Sequence, residues 1–482
     1  MAHWARATPH AVALVEAGHP YTYESLATLI VKTTKYMRGQ GMSSGTIAGI
    51  ECSSYFMHLV LILACECLGI TTTSLTPVEL NSDNDLLSRC AVLFAETVND
   101  ATSQLPRVVP VTIDRVAEIV RIPVAEADFG VLEFQPEPES GGRIVKTSGT
   151  TGRQKCMCNS SIGIERAVQT TQTILDVLDA SANFLCLYPF SFRPSYTDSI
   201  LALRSGRTVI FTGMADFFRD MATIGDSHTV LMPAEAVALC AQFHDSQRVE
   251  FAGSRDPGVK CGVQINGGSL SASLRRDLLA SFATSVCNTY SLNETNYVSL
   301  VDEQGVGTLL PGAEVRIVGE DGRDKPPGEI GTVAIRSSRM VPGYLWDEAL
   351  TARHFVDGWH ITSDLGSCPA PDQLAVVGRA DDMLNIGGVK VPPQPIEDGI
   401  KAIDGVTDAV LLSIEDSLGL SELHLVVERP DAARDEELDR LIRPLVHYHG
   451  RDFVAHYRDS LPRTDSGKVR RGALKQLIAA GS

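Results

Sequence analysis

Residues 147–155 read Thr147-Ser-Gly-Thr-Thr-Gly-Arg-Gln-Lys155 and follow the strand-like run 143–146. Hydroxyls and glycines in succession leave backbone N–H groups free to close around an anion, and the lysine adds a point charge. The spacing is not that of the common NTPase phosphate loop, which needs four residues between its glycine and a Gly-Lys-Ser/Thr. Here Lys155 follows a glutamine instead. A surface turn uses the same residue types, so the segment needs partners elsewhere in the chain.

Around it, helical apolar patterns (residues 23–37 and 55–68) alternate with short Val/Ile/Leu runs at 46–51, 107–111, 184–188, 207–211 and 263–265. Strands alternating with helices predict βαβ units and a largely parallel sheet. From Gly312 the texture changes: 314–318, 330–335 and 373–377 read as strands between Gly/Asp/Pro turns, hence hairpins or a small barrel. Past 380 come Asp381-Asp382, a Gly-Gly, a proline cluster, a helix from Pro395, strands at 409–413 and 423–428, and a helix at 435–447. The expected fold is α/β. A large N-terminal domain of several subdomains (parallel-rich sheets plus a small β-barrel, residues 1–380) precedes a small mobile α+β domain (381–482).

Composition narrows the function. Over 482 residues, 59 acidic side chains against 42 basic ones leave a charge of −17. Such a chain repels phosphate backbones and anionic headgroups, so neither nucleic acid nor a lipid surface is expected as a partner. The 44% apolar content suffices for a packed core. Eleven cysteines without a CxxC pair predict reduced thiols and a cytoplasmic setting. The start lacks a secretory pattern. The greasy stretch 56–70 is interrupted by His58 and Glu66 and is shorter than the ~20 residues of a membrane span, so a buried helix is expected. His447, His449 and His456 are read as lid residues rather than metal ligands.

Four further segments accompany the first: Asn288-Thr-Tyr-Ser-Leu-Asn-Glu294, Gly358-Trp-His-Ile-Thr-Ser-Asp-Leu-Gly366, Gly378-Arg-Ala-Asp-Asp-Met-Leu-Asn-Ile-Gly-Gly388 and Leu461-Pro-Arg-Thr-Asp-Ser-Gly-Lys-Val-Arg470. With Gly267-Gly268-Ser269-Leu270, Pro311-Gly312 and Pro342-Gly-Tyr-Leu345, the set resembles the adenylate-forming (ANL) superfamily over residues 5–478. That superfamily holds acyl- and aryl-CoA synthetases, peptide-synthetase adenylation domains and luciferases.

The resemblance implies two half-reactions. A carboxylate attacks the α-phosphorus of ATP and pyrophosphate leaves; a thiol or other nucleophile then attacks the acyl-adenylate. It also implies roles. Thr147, Ser148, Gly149, Thr150, Thr151 and Gly152 would hold the β- and γ-phosphates, with Lys155 nearby. Gly267, Gly268 and Ser269 would lie along the adenine, with Asn288 and Thr289 beside them and Tyr290 stacked on the purine. Glu294 would hold Mg²⁺, Asp364 the ribose hydroxyls with Arg379 assisting, and Lys468 would bridge the substrate carboxylate and the α-phosphate. Asp381 would be the hinge of a lid that presents Lys468 in one half-reaction and the loop at Gly387-Gly388 in the other.

Four departures stand out: Gln154-Lys155-Cys156 replaces Pro-Lys-Gly, Asn293 replaces a threonine at the α-phosphate, Ser363 replaces a glycine, and Asn385 replaces a lysine. No charged catalytic group is lost, and an amide donates the hydrogen bond a threonine would, so an active enzyme is expected. Phe190, Phe192, Arg193 and Tyr196 are the candidate acid-pocket walls. Arg193 stands where amino-acid-activating relatives carry an aspartate, which disfavours a substrate ammonium. It is expected to read an anionic or carbonyl group or close the pocket wall, with solvent exposure or pairing to Asp198 as the alternative. The expected enzyme is an acid–thiol ligase using ATP and Mg²⁺, acting on a small carboxylic acid with CoA or a carrier-protein phosphopantetheine as acceptor. An adenylate-forming amide synthetase or a weak nucleotide-binding homologue is the alternative.

Overall fold

The computed structural model describes residues 2–80, 85–98, 102, 105–133, 141–147, 155–248, 259–386, 389–415, 421–429, 436–446, 453–463 and 469–481. Its largest sheet has fourteen strands. The parallel half runs Val12–Glu16, Val209–Phe211, Phe184–Cys186, Ser227–Leu231, Cys261–Ile265, Ser285–Leu292. From Ser285–Leu292 the sheet continues antiparallel through Asn296–Val301, Val306–Leu309, Gln373–Arg379, Trp359–Ser367, Gly331–Ser337 and Ala313–Val318. The strands expected to form hairpins or a small barrel are thus laid on to the large sheet in hydrogen-bond register. Ser285–Leu292 is the seam between the two halves.

A second sheet of six strands is parallel through Val108–Pro110, Val92–Ala95, Ile47–Glu51, Thr71–Ser74 and Gly142–Thr147. It ends on Lys155–Asn159, antiparallel to Gly142–Thr147, so residues 147 and 155 face each other across the mouth of a hairpin. The helix Tyr55–Glu66 starts where Ser54 Oγ accepts the Met57 N–H, and it is buried from Leu59 to Cys65. A helix apolar on nearly all faces belongs inside a core, and this one packs in the main cluster with Tyr23, Leu26, Phe184 and Phe190. Among the described residues no helix is long and apolar enough to cross a membrane. All eleven cysteines are unpaired.

Beyond residue 386 a three-stranded sheet (Asp408–Glu415, Ser421–Glu428, Phe453–Arg458) carries helices on both faces. Gln394–Lys401 and Glu436–Val446 cover one apolar face through Ile400, Leu438 and Ile442. Arg471–Gly481 covers the other through Leu474 and Ile478. The third strand and last helix are additions to the sequence reading. Glu397, only 3% exposed, accepts from the single nitrogen Arg471 Nη2 at both carboxylate oxygens (2.8 and 2.7 Å) and from the Leu411 N–H at 2.8 Å. His456 stacks on His424 with ring nitrogens 3.0 Å apart; His447 and His449 lie outside the described residues. Among the described residues no cluster of three His, Cys, Asp or Glu could hold a metal.

Two stability outcomes follow from buried charges. Arg471→Met leaves the Glu397 carboxylate buried without its partner, and should destabilise the C-terminal sheet by roughly 3 kcal/mol, read as lost amide-exchange protection over residues 408–428. His58 is buried with Nε2 2.9 Å from Ser74 Oγ, and burial together with the Arg143 charge lowers its pKa to about 3. The unfolded imidazole takes a proton below about pH 6.5 and the folded one does not, so stability falls as pH drops through that window. Between pH 7 and pH 5, His58→Gln should lose roughly 2 kcal/mol less than the native chain in urea titrations.

Candidate active site

The end of the seam strand and the turn at 293–295 stand where parallel strands open a crevice, the usual ligand position in α/β sheets. The turn is held from behind. Arg193, the first residue of helix Arg193–Arg204, donates from Nη2 to Leu292 O (2.9 Å) and from Nη1 to Asn293 O (3.1 Å). It therefore neither points to solvent nor pairs with Asp198. Asp198 instead meets His228 Nε2 at 3.1 Å, both fully enclosed. Arg339 grips the other flank, donating to Pro311 O at 2.7 Å and Tyr297 O at 2.9 Å. Burial, then the charges of Arg193 and Arg166, lower the Arg339 pKa to about 10, which leaves it cationic at neutral pH.

Held this way, the hairpin points its side chains at two neighbours. On one side the Tyr290 hydroxyl donates to Asp364 Oδ2. Burial, then the Asp364 charge, push that hydroxyl well above its usual pKa, so it remains a donor. Asp364 is paired in register opposite Arg379. On the other side Glu294 Oε1 accepts from Tyr344 Oη at 2.9 Å, and Lys155 Nζ stands 5.1 Å from the centre of the Tyr344 ring. Asn293 Nδ2 reaches Lys146 O only at 3.5 Å, the limit of a hydrogen bond, so its amide is weakly engaged. One hairpin thus brings Tyr290, Asn293 and Glu294 together with Asp364, Arg379, Lys155 and the mouth at Thr147. Residues 148–154 (Ser148, Gly149, Thr150, Thr151 and Gly152 among them), Gly387, Gly388 and Lys468 lie outside the described residues.

Other expected residues are employed within the protein. Gly267 has φ +79°, and a Cβ on Gly268 would stand 2.9 Å from Pro233 Cγ, so this turn needs both glycines for its own path. Ser269 Oγ donates to Asp398 Oδ1 at 2.8 Å. Thr289 spends its hydroxyl on Ile265 O (3.2 Å) and accepts from Gln264 Nε2, whereas Asn288 Oδ1 is buried without a partner. Phe190 and Tyr196, 1% and 2% exposed, pack in the main core and line a small cavity together with Arg193. Phe192 is half-buried against Tyr188. Asp381 lies in the short turn Ala380–Asp382 that follows the last strand of the large sheet. The sequence reading assigned no role to Tyr344, Arg339 or Arg143. The first was visible as part of a quoted motif, and Arg143 as a charge opening an apolar strand.

The model of the AMP-binding enzyme family matches residues 1–345. The chain belongs to that family. A relative of this AMP-binding enzyme, 3-hydroxybenzoate–CoA ligase of Aromatoleum sp. (strain CIB), is 27% identical over 97% of this chain and 94% of its own. ATP-bound MatB from Rhodopseudomonas palustris superposes with TM-score 0.81 at 20% identity, covering 98% of each chain. The amide bond synthetase McbA from Marinactinospora thermotolerans gives TM-score 0.81 at 19% identity, covering 99% of each.

The left-handed backbone at Gly267 yields a direct check. Gly267→Ala should cost about 1–2 kcal/mol from the conformation alone, seen in thermal unfolding, with a raised KM for ATP because the turn moves.

Proposed function

We propose that this chain activates a small carboxylic acid with ATP, releasing pyrophosphate, and transfers the acyl group from the adenylate to the thiol of CoA or of a carrier-protein phosphopantetheine. The observation that carries the reading is the hairpin that puts Tyr290, Asn293 and Glu294 beside Asp364 on one flank and the 147–155 hairpin on the other. The nucleoside end of the crevice offers acceptors, with Asp364 for ribose hydroxyls and Tyr290 for a flat ring. The phosphate end offers donors, with Asn293 for the α-phosphate, Lys155 and the loop 148–154 for the β- and γ-phosphates, and Lys468 brought in from the C-terminal segment.

The donor set suits Mg²⁺. The Glu294 carboxylate, oriented by Tyr344, stands where among the described residues no cluster of three His, Cys, Asp or Glu could hold a metal, which matches an ion that keeps waters and phosphate oxygens as its other ligands. Bound there, Mg²⁺ would neutralise charge on the leaving pyrophosphate. The chain's own contribution is placement of groups where negative charge develops.

We further read residues 1–380 as the substrate-binding body and 381–482 as a lid turning about Asp381. Among the described residues the side-chain hydrogen bonds joining them include Ser269 Oγ to Asp398 and Ser273 Oγ to Lys401 O at 3.2 Å. A turning lid breaks both, exchanging Lys468 for Gly387 and Gly388 at the acid's carbonyl. The CoA-ligase name of the 27%-identical relative supports CoA as acceptor and an aryl acid as a first substrate to try.

Acid-dependent ATP–pyrophosphate exchange, followed by trapping with CoA, carrier protein or an amine, tests the function. Exchange that requires acid is expected. Hydrolysis of ATP without acid, or nucleotide binding without exchange, contradicts it. Lys468→Ala should lower adenylation by on the order of 10²- to 10³-fold while leaving thiol transfer from preformed adenylate largely intact.

A further inference from the structure

The segment 341–347 runs between Glu294 and the hairpin mouth at 147 and 155, and it is tied to both. The Val341 N–H donates to Glu294 O at 2.9 Å, and the Leu345 N–H to Cys156 O at 2.8 Å. Between them Thr351 Oγ1 accepts the Tyr344 N–H (2.9 Å) and donates to Tyr344 O (3.2 Å). A Cβ on Gly343 would stand 2.4 Å from Thr351 Cγ2, so Thr351 packs flush against the chain. Trp346 then turns the backbone with φ +59°, beneath the Arg89 guanidinium at 4.4 Å. That conformation is an outlier for a bulky residue, and such strain persists where the surroundings over-determine the chain.

The side chain fixed in this way is Tyr344, 6% exposed. Its hydroxyl donates to Glu294 Oε1 at 2.9 Å, and burial, then the Glu294 charge, raise its pKa, so it stays a donor. Lys155 Nζ lies over its ring, 5.1 Å from the centre. One ring therefore carries an anion at its hydroxyl and a cation over its face. Among the described residues neither Lys155 nor Glu294 has a salt-bridge partner. Opposite charges this near attract strongly at a protein's effective dielectric. Lys146, at the same hairpin mouth, shows the paired outcome, its ammonium being salt-bridged to Glu79.

We propose that Tyr344 is a positioning residue that keeps Lys155 and Glu294 from pairing with each other, so that the ammonium stays free for phosphate and the carboxylate for a metal ion. The inference rests on the roles given to Lys155 and Glu294 above and adds the device that preserves both. Ring and hydroxyl have separate tasks. The ring face gives the ammonium a cation–π partner that no phosphate has to displace from a carboxylate. The hydroxyl gives the carboxylate a charge-assisted hydrogen bond at one oxygen and leaves the other for a ligand.

The test reads metal binding rather than turnover: Mn²⁺ is titrated by EPR into the enzyme–ATP complex, with enzyme in excess over nucleotide and no acid present. Tyr344→Phe keeps the ring and should raise the Mn²⁺ Kd about 10-fold, as loss of an outer-shell partner does, with the Kd for metal-free ATP unchanged. Tyr344→Leu, or Tyr344→Met where the smaller chain unfolds the segment, should raise the Mn²⁺ Kd about 100-fold and weaken metal-free ATP as well. The decisive variant adds Lys155→Met to the ring-less background. With no ammonium left to pair with Glu294, its Mn²⁺ Kd should return to about that of Tyr344→Phe. Lys155→Met in the native background should move the Mn²⁺ Kd little by comparison. A Tyr344 that only supports the fold gives no such rescue. Absence of rescue, or an equal gain from Lys155→Met in both backgrounds, would overturn the inference while leaving adenylation standing. A native enzyme–ATP complex that gains no Mn²⁺ affinity over free ATP would overturn the metal role of Glu294 too.

Discussion

The hairpin at 292–296 depends on one guanidinium. Leu292, paired opposite Asn296, ends its strand and Asn293 enters the turn, and both turn their carbonyls to Arg193. A buried carbonyl left unpaired costs free energy comparable to a lost hydrogen bond. Arg193 satisfies both with a planar fork, and because it opens the helix Arg193–Arg204 it fixes the hairpin to the helical layer. Arg339 does the same for Pro311 and Tyr297 on the far side. Tyr290, Asn293 and Glu294 inherit their positions from these grips, and Val341 N–H on Glu294 O at 2.9 Å adds a third.

The electrostatics of the crevice are divided accordingly. Asp364 and the Tyr290 hydroxyl form an acceptor-rich end, and Lys155 faces Glu294 through the Tyr344 ring at the other. Lys146, one residue before the phosphate segment, is withdrawn from this end because it is salt-bridged to Glu79 and donates to Ser74 O at 3.2 Å. Lys146 is thus tied to Glu79, whereas Lys155, at the same hairpin mouth, stands over the Tyr344 ring.

Much of this was legible in the residues. Period and turn signals found the helices Tyr23–Gly39 and Tyr55–Glu66 and nearly all the strands named, since a parallel strand buried on both faces reads as an unbroken apolar run. The motif order found the family and drew attention to Glu294 and Asp364. What could not be read were partners distant in sequence. Arg193 lies about a hundred residues from the carbonyls it holds, and nothing local marks a guanidinium as a strap rather than a recognition group. Thr289 looked like a ligand residue because it neighbours Tyr290, but strand alternation turns it inward to Gln264. The strand Phe453–Arg458 was missed because His456, Tyr457 and Arg458 hide its alternation, and it forms only by pairing with Ser421–Glu428.

The most direct test of the central claim, that this hairpin forms one wall of a nucleotide site, is a crystal structure with AMP. The account predicts the ribose hydroxyls on Asp364, the base against Tyr290 near Gly267, and the phosphate within hydrogen-bond reach of Asn293. A nucleotide bound away from the turn at 293–295, or one whose ribose contacts neither Asp364 nor Arg379, would contradict it.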